Sequence, residues 1–449
     1  MPSVSLRSFS PRQLALLVPI AAMSWLVVRP LGDNSFLWHV RAGTLQIDLG
    51  RVLTVDPFSF TRGGEEWRTQ SWLAELGYGW LERSTGDLSW VPLMVYVVAL
   101  AMMTLVAIAV YDVIREPVRT AGILVVVAFV ATPFMVPRPV ILSYMLLAAT
   151  VLIVRRSQHL AWALVPMIWV WAGLHASYTL GLALVALEAF RLKSWKLFFV
   201  GVAAGATTAF TAHGVGSWEF LLQFLESREA LTYITEWATP DFTRLFLAPF
   251  LLVVAGLVAG AIRGRIRPRD LIVIVPFLWL GLTQQRSILP AVIVLAPFAA
   301  RALIPKREPG QSRGGSVAAN AVLLGTLVLL AVVPFSRDVS LRTNVLPPPE
   351  ARAALEPGRA FHGASAGGLL IYAEWPEREV YVDDRAELYG VEGFQEFVDA
   401  TKGIGYEAVF SEYGLHQALV KPDWKLVDFL VADGWDLRYE DEHWAVYAR

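Results

Sequence analysis

Long apolar runs broken by short charged punctuation set the rhythm of this chain. They fall at 13–29, 89–111, 120–136, 139–154, 160–174, 177–190, 196–212, 243–262, 270–284, 287–304 and 317–335, and each predicts a helix. Several are shorter than the ~20 residues that a perpendicular bilayer crossing needs, so the 139–190 region also suits re-entrant or broken helices. Three regions interrupt the rhythm. Residues 30–88 form a loop too long for a simple connector, which predicts folded or functional structure. Within it, "SWLAELGYGWLER" (71–83) sets Trp72, Leu73, Leu76, Trp80 and Leu81 along one helical face, the pattern of a helix lying in a membrane interface. Residues 213–242 make a second long loop, and 336–449 form a tail opened by the stiff "LPPPE".

The tail changes period. "EVYVD" (379–383) and "HQALV" (416–420) read as strands, "AGGLLIYAEW" (366–375) and "WKLVDFLVADG" (424–434) as helices. The closing "DLRYEDEHWAVYAR" reads as a hairpin turning near Asp441-Glu442. A small α/β domain fits this length. No fixed-period repeat runs through the chain.

Composition reinforces the membrane reading. Of 449 residues, 55% are hydrophobic and only 17% charged, too little charge to cover a soluble protein of this size. The 17 Trp and 13 Tyr suit the headgroup layer. A net charge of −1 gives no reason to expect a nucleic-acid partner. The absence of cysteine removes disulfides, thiolate metal sites and cysteine nucleophiles. Trp25 and Arg29-Pro30 stand where a signal peptide would be cut, so the first apolar run is expected to be retained.

Basic residues then orient the spans. They gather at every second junction: Arg7 and Arg12; Arg115 and Arg119; Arg155 and Arg156; Arg191, Lys193 and Lys196; "RGRIRPR" at 263–269; and Arg301, Lys306, Arg307 and Arg313. Cytoplasmic loops collect Lys and Arg. The expected architecture is therefore an all-α polytopic membrane domain of about 11 transmembrane helices (1–335), with a cytoplasmic N-terminus and the long first outer loop 30–88. A small extracytoplasmic α/β domain (336–449) follows.

With that topology, Asp33, His39, Arg138, His175, His213, Glu236 and Arg286 all fall at the outer face. Asp33 suits a general base or a binder of a hydroxylic group, and equally an N-cap for a helix starting at Asn34 or Ser35. His39 suits leaving-group assistance or phosphate binding, or a place as an interfacial aromatic. Arg138, between two prolines, and Arg286, at a helix entry, carry the paired donors that fit a lipid phosphate; snorkelling to headgroups is the plainer alternative. His175 joins them as a candidate for the same lipid phosphate. Glu236 beside Trp237 offers an acceptor and a flat apolar face for a sugar, or a loop salt bridge. Asp383-Asp384-Arg385 reads as a metal or phosphate corner or, more simply, a turn. No phosphate-binding loop, HExxH or CxxC occurs, and no spacing specifies a metal. No cofactor is implied, and a divalent metal stays open.

The order of Asp33…Trp38-His39…Gly43, "DPFSFT" (56–61), "WLAEL" (72–76), Arg286…Pro290, "GGLLIY" (367–372) and "DDRAELYG" (383–390) resembles the GT-C superfamily of glycosyltransferases, in particular a bacterial group of polytopic GT-C-like proteins. The resemblance touches both ends and the middle of the chain. It implies a sugar donor carried on a polyprenyl phosphate in the plasma membrane, and transfer on the outer side to an envelope glycan or protein. It also implies that Asp33 takes the place of the catalytic carboxylate, with Arg138 or Arg286 holding the donor phosphate. Where many relatives pair two acids, this chain has Asp33-Asn34, which puts an acidic metal pair in doubt; Asp48 and Asp56 are the next acids along. The alternative is a non-catalytic membrane protein whose C-terminal domain binds an envelope polymer or a partner protein.

Overall fold

A computed structural model describes residues 17–156, 158–216, 218–219, 238–304, 317–332 and 339–449. It is 66% helical, with 18 α-helices and one four-stranded sheet among the described residues. The chain divides into two compact units. A helical unit comprises Met1–Arg29, Ser89–Ser217 and Ile234–Asp338; an α/β unit comprises Pro30–Leu88, Trp218–Tyr233 and Val339–Arg449.

Every apolar run named from the sequence contains a helix. Three helical stretches in the described residues are long and apolar enough to cross a membrane: Trp90–Ile114, Pro117–Phe134 and Gln285–Leu303. The first has 25 residues, about 38 Å at 1.5 Å per residue, against a hydrocarbon core of about 30 Å. Its stop is local, because Arg115 adopts the left-handed conformation (φ 54°) that ends the helix. Glu116 then caps the next helix by accepting the Arg119 N–H at 2.7 Å, with Pro117 at the first helical position, where its missing donor costs nothing. The Ile288–Leu303 helix is buried on nearly all sides and forms the middle of this unit. Around it, shorter helices leave large apolar side chains outward: Ile262 is 82% exposed, Trp195 73% and Leu329 63%. Such a density of outward apolar groups suits lipid rather than water.

Helices Val140–Arg156, Tyr178–Leu192 and Ile288–Leu303 bring their C-terminal ends together, because Arg155, Arg191 and Arg301 all gather over the ring of Phe298. Arg138, His175 and Arg286 precede the same three helices. They therefore stand at the opposite ends, roughly 25 Å away for a 17-residue helix.

The α/β unit is built from both the first long loop and the tail. Its sheet runs in the order β1 (Phe361–His362), β2 (Gln417–Val420), β4 (Ala445–Ala448), β3 (Asp436–Glu440). β1 is parallel to β2, and the other pairs are antiparallel, with Ala418 opposite Tyr447. The hairpin, the 417–420 strand and helices Ala364–Glu374 and Leu426–Ala432 follow the sequence pattern. "EVYVD" does not join the sheet. Only Val380 bridges, and it pairs with Ser59 of the loop: the Val380 N–H donates to the Phe58 carbonyl at 3.0 Å. The core is correspondingly mixed, with Trp38, Phe58 and Trp67 from the loop packed with Phe361, Leu370 and Trp444 from the tail. Loop 30–88 thus folds with residues 339–449, rather than serving as a connector within the helical part.

Helix Trp72–Thr85 forms as the pattern predicts, but its buried stripe is Ala74, Glu75, Tyr78 and Gly79. Trp80, on the apolar face that the sequence assigns to a membrane interface, is 63% exposed. The helix instead presses its small-residue side onto helix Asn34–Leu49. Gly43 and Gly79 meet there, and a Cβ on either would overlap the other helix's backbone.

Candidate functional site

Asp33 starts helix Asn34–Leu49. Its backbone is extended (φ −97°, ψ 114°), and its Oδ1 accepts the Phe36 N–H at 2.9 Å, satisfying a donor that a helix start leaves open. Asn34 follows with two bonds into the tail: its Nδ2 donates to the Ala364 carbonyl at 2.7 Å, and its Oδ1 accepts from Leu369 N–H at 3.2 Å. The polar residues that looked exposed at a membrane exit are thus folded against a tail helix. Gly368 makes the contact possible, since a Cβ there would overlap the Asn34 carbonyl.

One turn on, His39 is buried. Its Nδ1 lies 2.8 Å from Glu75 Oε1, and Glu75 also accepts from the Thr69 hydroxyl and, at 2.6 Å, from Gln46 Nε2. Glu75 itself has no exposure, so these three partners stand in for water. Tyr78 lies beside the same carboxylates: burial pushes its phenol up, and Asp33 and Glu75 add to the effect. Its ring meets Phe36 edge-on at 5.6 Å.

The second cluster joins "DPFS" to "DDR". Arg385 forks onto Asp383, with Nε to Oδ1 at 2.8 Å and Nη2 to Oδ2 at 2.6 Å, and its Nη1 reaches Asp56 at 2.7 Å. All three side chains are fully buried. Asp56 further accepts the Phe58 and Ser59 N–H groups at 3.0 and 3.1 Å, and Tyr389 donates its hydroxyl to Asp383 at 3.1 Å. Trp67 covers the guanidinium at 4.5 Å. Burial would lower the Arg385 pKa, but Asp383 and then Asp56 outweigh it and hold the group well above its ordinary value. Asp384 turns the other way, accepting from the Ser35 hydroxyl and from Trp38 Nε1 at 2.9 Å. The corner is an internal brace. Among the described residues, no group of three or more His, Asp or Glu is placed to hold a metal ion.

The remaining candidates belong to the helical unit. Arg138 sits in the turn before helix Val140–Arg156, with its N–H on the Val136 carbonyl at 2.7 Å. His175 closes helix Leu164–Leu174, and its Nδ1 faces the Ser177 hydroxyl at 2.8 Å and N–H at 3.0 Å. Arg286 occupies the short 3-10 turn that enters the buried helix. Glu236 and Trp237 lie outside the described residues, as do Arg7, Arg12, Lys306, Arg307 and Arg313. Of the other loop acids, Asp48 pairs with Arg83 in an exposed position, and Asp56 is consumed in the brace. Glu75 carries a larger share of the bonding than sequence reasoning assigned to it. Its signal was an acid between Ala74 and Leu76 in an otherwise apolar helix.

No protein-family model matches the chain, and no curated protein matches it.

Proposed function

We propose that this chain is a polytopic membrane glycosyltransferase of the GT-C type. It moves a sugar from a polyprenyl-phosphate donor to an envelope glycan or protein on the outer side of the bacterial plasma membrane. In this reading the eleven apolar helical runs are the spans, and the N-terminus is cytoplasmic. The observation that carries the reading is the position of Asp33. It follows the first apolar helical segment and heads a helix anchored by Asn34 and Trp38 to the tail, so its carboxylate is held by a rigid support. The other two acids of the loop motifs, Asp56 and Glu75, are tied into buried bonds and are poor candidates for a base.

The chemistry is a displacement. Asp33 takes the proton of an acceptor hydroxyl as its oxygen attacks the anomeric carbon. The bond from that carbon to the phosphate oxygen breaks, and the polyprenyl phosphate leaves with the electron pair. Arg138 or Arg286 would meet the growing phosphate charge, for which a guanidinium offers two parallel donors. The test is reconstitution of the full-length protein in vesicles with a set of radiolabelled polyprenyl-phosphate sugars and envelope acceptors. Protein-dependent label in the acceptor fraction supports the reading. No transfer from any donor, by folded protein, overturns it.

A second reading has its own observation. Because His39, Glu75, Asp56, Asp383 and Arg385 satisfy one another internally, the motifs also suit a rigid, non-catalytic module that binds an envelope polymer or partner protein. Polymer retention by the full-length protein, without label transfer, would favour it.

A further inference from the structure

The helical unit contains a cavity of about 390 Å³ lined by Asp112, Arg115, Arg155, Arg156, Arg191 and Arg301, among others. It lies where helices Trp90–Ile114, Val140–Arg156, Tyr178–Leu192 and Ile288–Leu303 end. Its charges do not balance. Arg191 pairs with Glu188 at 2.6 Å and Asp270 at 3.1 Å, and Arg301 shares Asp270. Arg115 and Arg156 share Asp112 at the loose distances of 3.8 and 3.5 Å. Five arginines therefore face three acids, leaving two positive charges in surplus.

Arg155 is the decisive member. Its guanidinium stacks on Phe298 at 4.6 Å, and its Nη1 is buried with no hydrogen-bond partner. Leaving a charged donor buried and unsatisfied is destabilising, and it is worth retaining where a ligand supplies the acceptor. The helix C-termini around the cavity carry partial negative charge, which helps to gather arginines there. That effect fades within a turn and supplies Nη1 with no acceptor.

We propose that this cavity binds a phosphate group, with Arg155 as its central ligand and Arg115 and Arg156 swinging onto it from Asp112. A phosphate mono- or diester brings one to two negative charges and several acceptor oxygens, matching the surplus and the orphaned donor. Basic pockets between membrane helices hold anionic headgroups by the same chemistry. The group arrives either on an anionic lipid or as a free anion. The site is distinct from the candidate donor site, because Arg138 and Arg286 head the helices whose far ends carry Arg155 and Arg301.

The test uses full-length protein and compares wild type with Arg155→Met, Arg156→Gln and Arg269→Gln, the last an exposed arginine outside the cavity lining. One arm follows thermal stabilisation by inorganic phosphate and pyrophosphate. The other compares phosphatidylglycerol with phosphatidylcholine in nanodiscs. A rise in Tm with free anion only, or with phosphatidylglycerol only, supports the proposal and names the source. In either case Arg155→Met weakens binding about tenfold to a hundredfold, the loss of one charge-assisted contact. Arg156→Gln weakens it less, and Arg269→Gln leaves it unchanged. Without ligand, Arg155→Met is at least as stable as wild type, because it removes a buried unpaired charge. No stabilisation in either arm, or equal losses in Arg269→Gln and Arg155→Met, overturns it; so does an unliganded Arg155→Met that is less stable than wild type.

Discussion

Arg385 donates to Asp56 at 2.7 Å across 329 residues of chain, and neither side chain touches solvent. This contact ties the first loop to the tail. Breaking a buried pair by removing one partner costs about 3–5 kcal/mol, because the remaining charges are stranded. Arg385→Met should therefore lower the unfolding free energy of the α/β unit by that amount, seen as a large drop in Tm. Adding Asp56→Asn and Asp383→Asn should recover part of the loss. A single substitution with unchanged Tm would show that the pair does not hold the unit together.

Gly43 and Gly77 make opposite predictions from the same stretch of fold. A methyl at Gly43 would run into the Glu75 carbonyl, which no side-chain rotation relieves. Gly43→Ala should cost at least the ~1–3 kcal/mol of overpacking and disturb the His39–Glu75 contact. Gly77 has open space around its would-be Cβ, so Gly77→Ala should be neutral or stabilising by up to ~1 kcal/mol. Thermal unfolding of the two variants, run side by side, checks the packing directly.

His362 gives the α/β unit a pH dependence. It is fully buried, its Nε2 accepts the Tyr381 N–H at 2.9 Å, and burial lowers its pKa from 6.5 to about 4. The unfolded chain therefore takes up a proton at higher pH than the folded one. The stability tied to His362 is complete above about pH 6.5 and is lost as the pH falls through about 4. The amount is about 3 kcal/mol, from 1.36 kcal/mol per pKa unit. Between pH 7 and 4, His362→Gln should lose less stability than wild type. Parallel curves for the two proteins would contradict this assignment.

Much of the fold was legible because local signals set it. Each apolar run carries an α-helix among the described residues, and the hairpin turn at Asp441-Glu442 follows from short alternating runs around polar residues. The union of loop 30–88 with the tail was not legible, since no periodicity encodes a contact such as Asn34 to Ala364 across 330 residues. Hydropathy marks the apolar outer face of helix Trp72–Thr85 but not the face that packs within the protein. That packed face holds two small residues and Glu75, whose burial depends on His39, Gln46 and Thr69 rather than on its own polarity. Asp383-Asp384-Arg385 read as a ligand corner or a turn; the Arg385 N–H donating to Asp383 Oδ1 at 2.9 Å fits the turn, while the burial of its charges has no signature in the letters. Asp33 was the even case, and its capping bond is now specific: Oδ1 to Phe36 N–H.

That bond lets one substitution separate support from chemistry. Asn caps a helix about as well as Asp, so Asp33→Asn should keep the fold and Tm while removing the base. The direct measurement is the rate of sugar transfer from a polyprenyl-phosphate donor by reconstituted Asp33→Asn against wild type. The account predicts a fall of about 10²–10⁴-fold, the usual contribution of a general base, at unchanged Tm. Transfer at the wild-type rate by the Asn variant would contradict it and leave Asp33 as a cap alone.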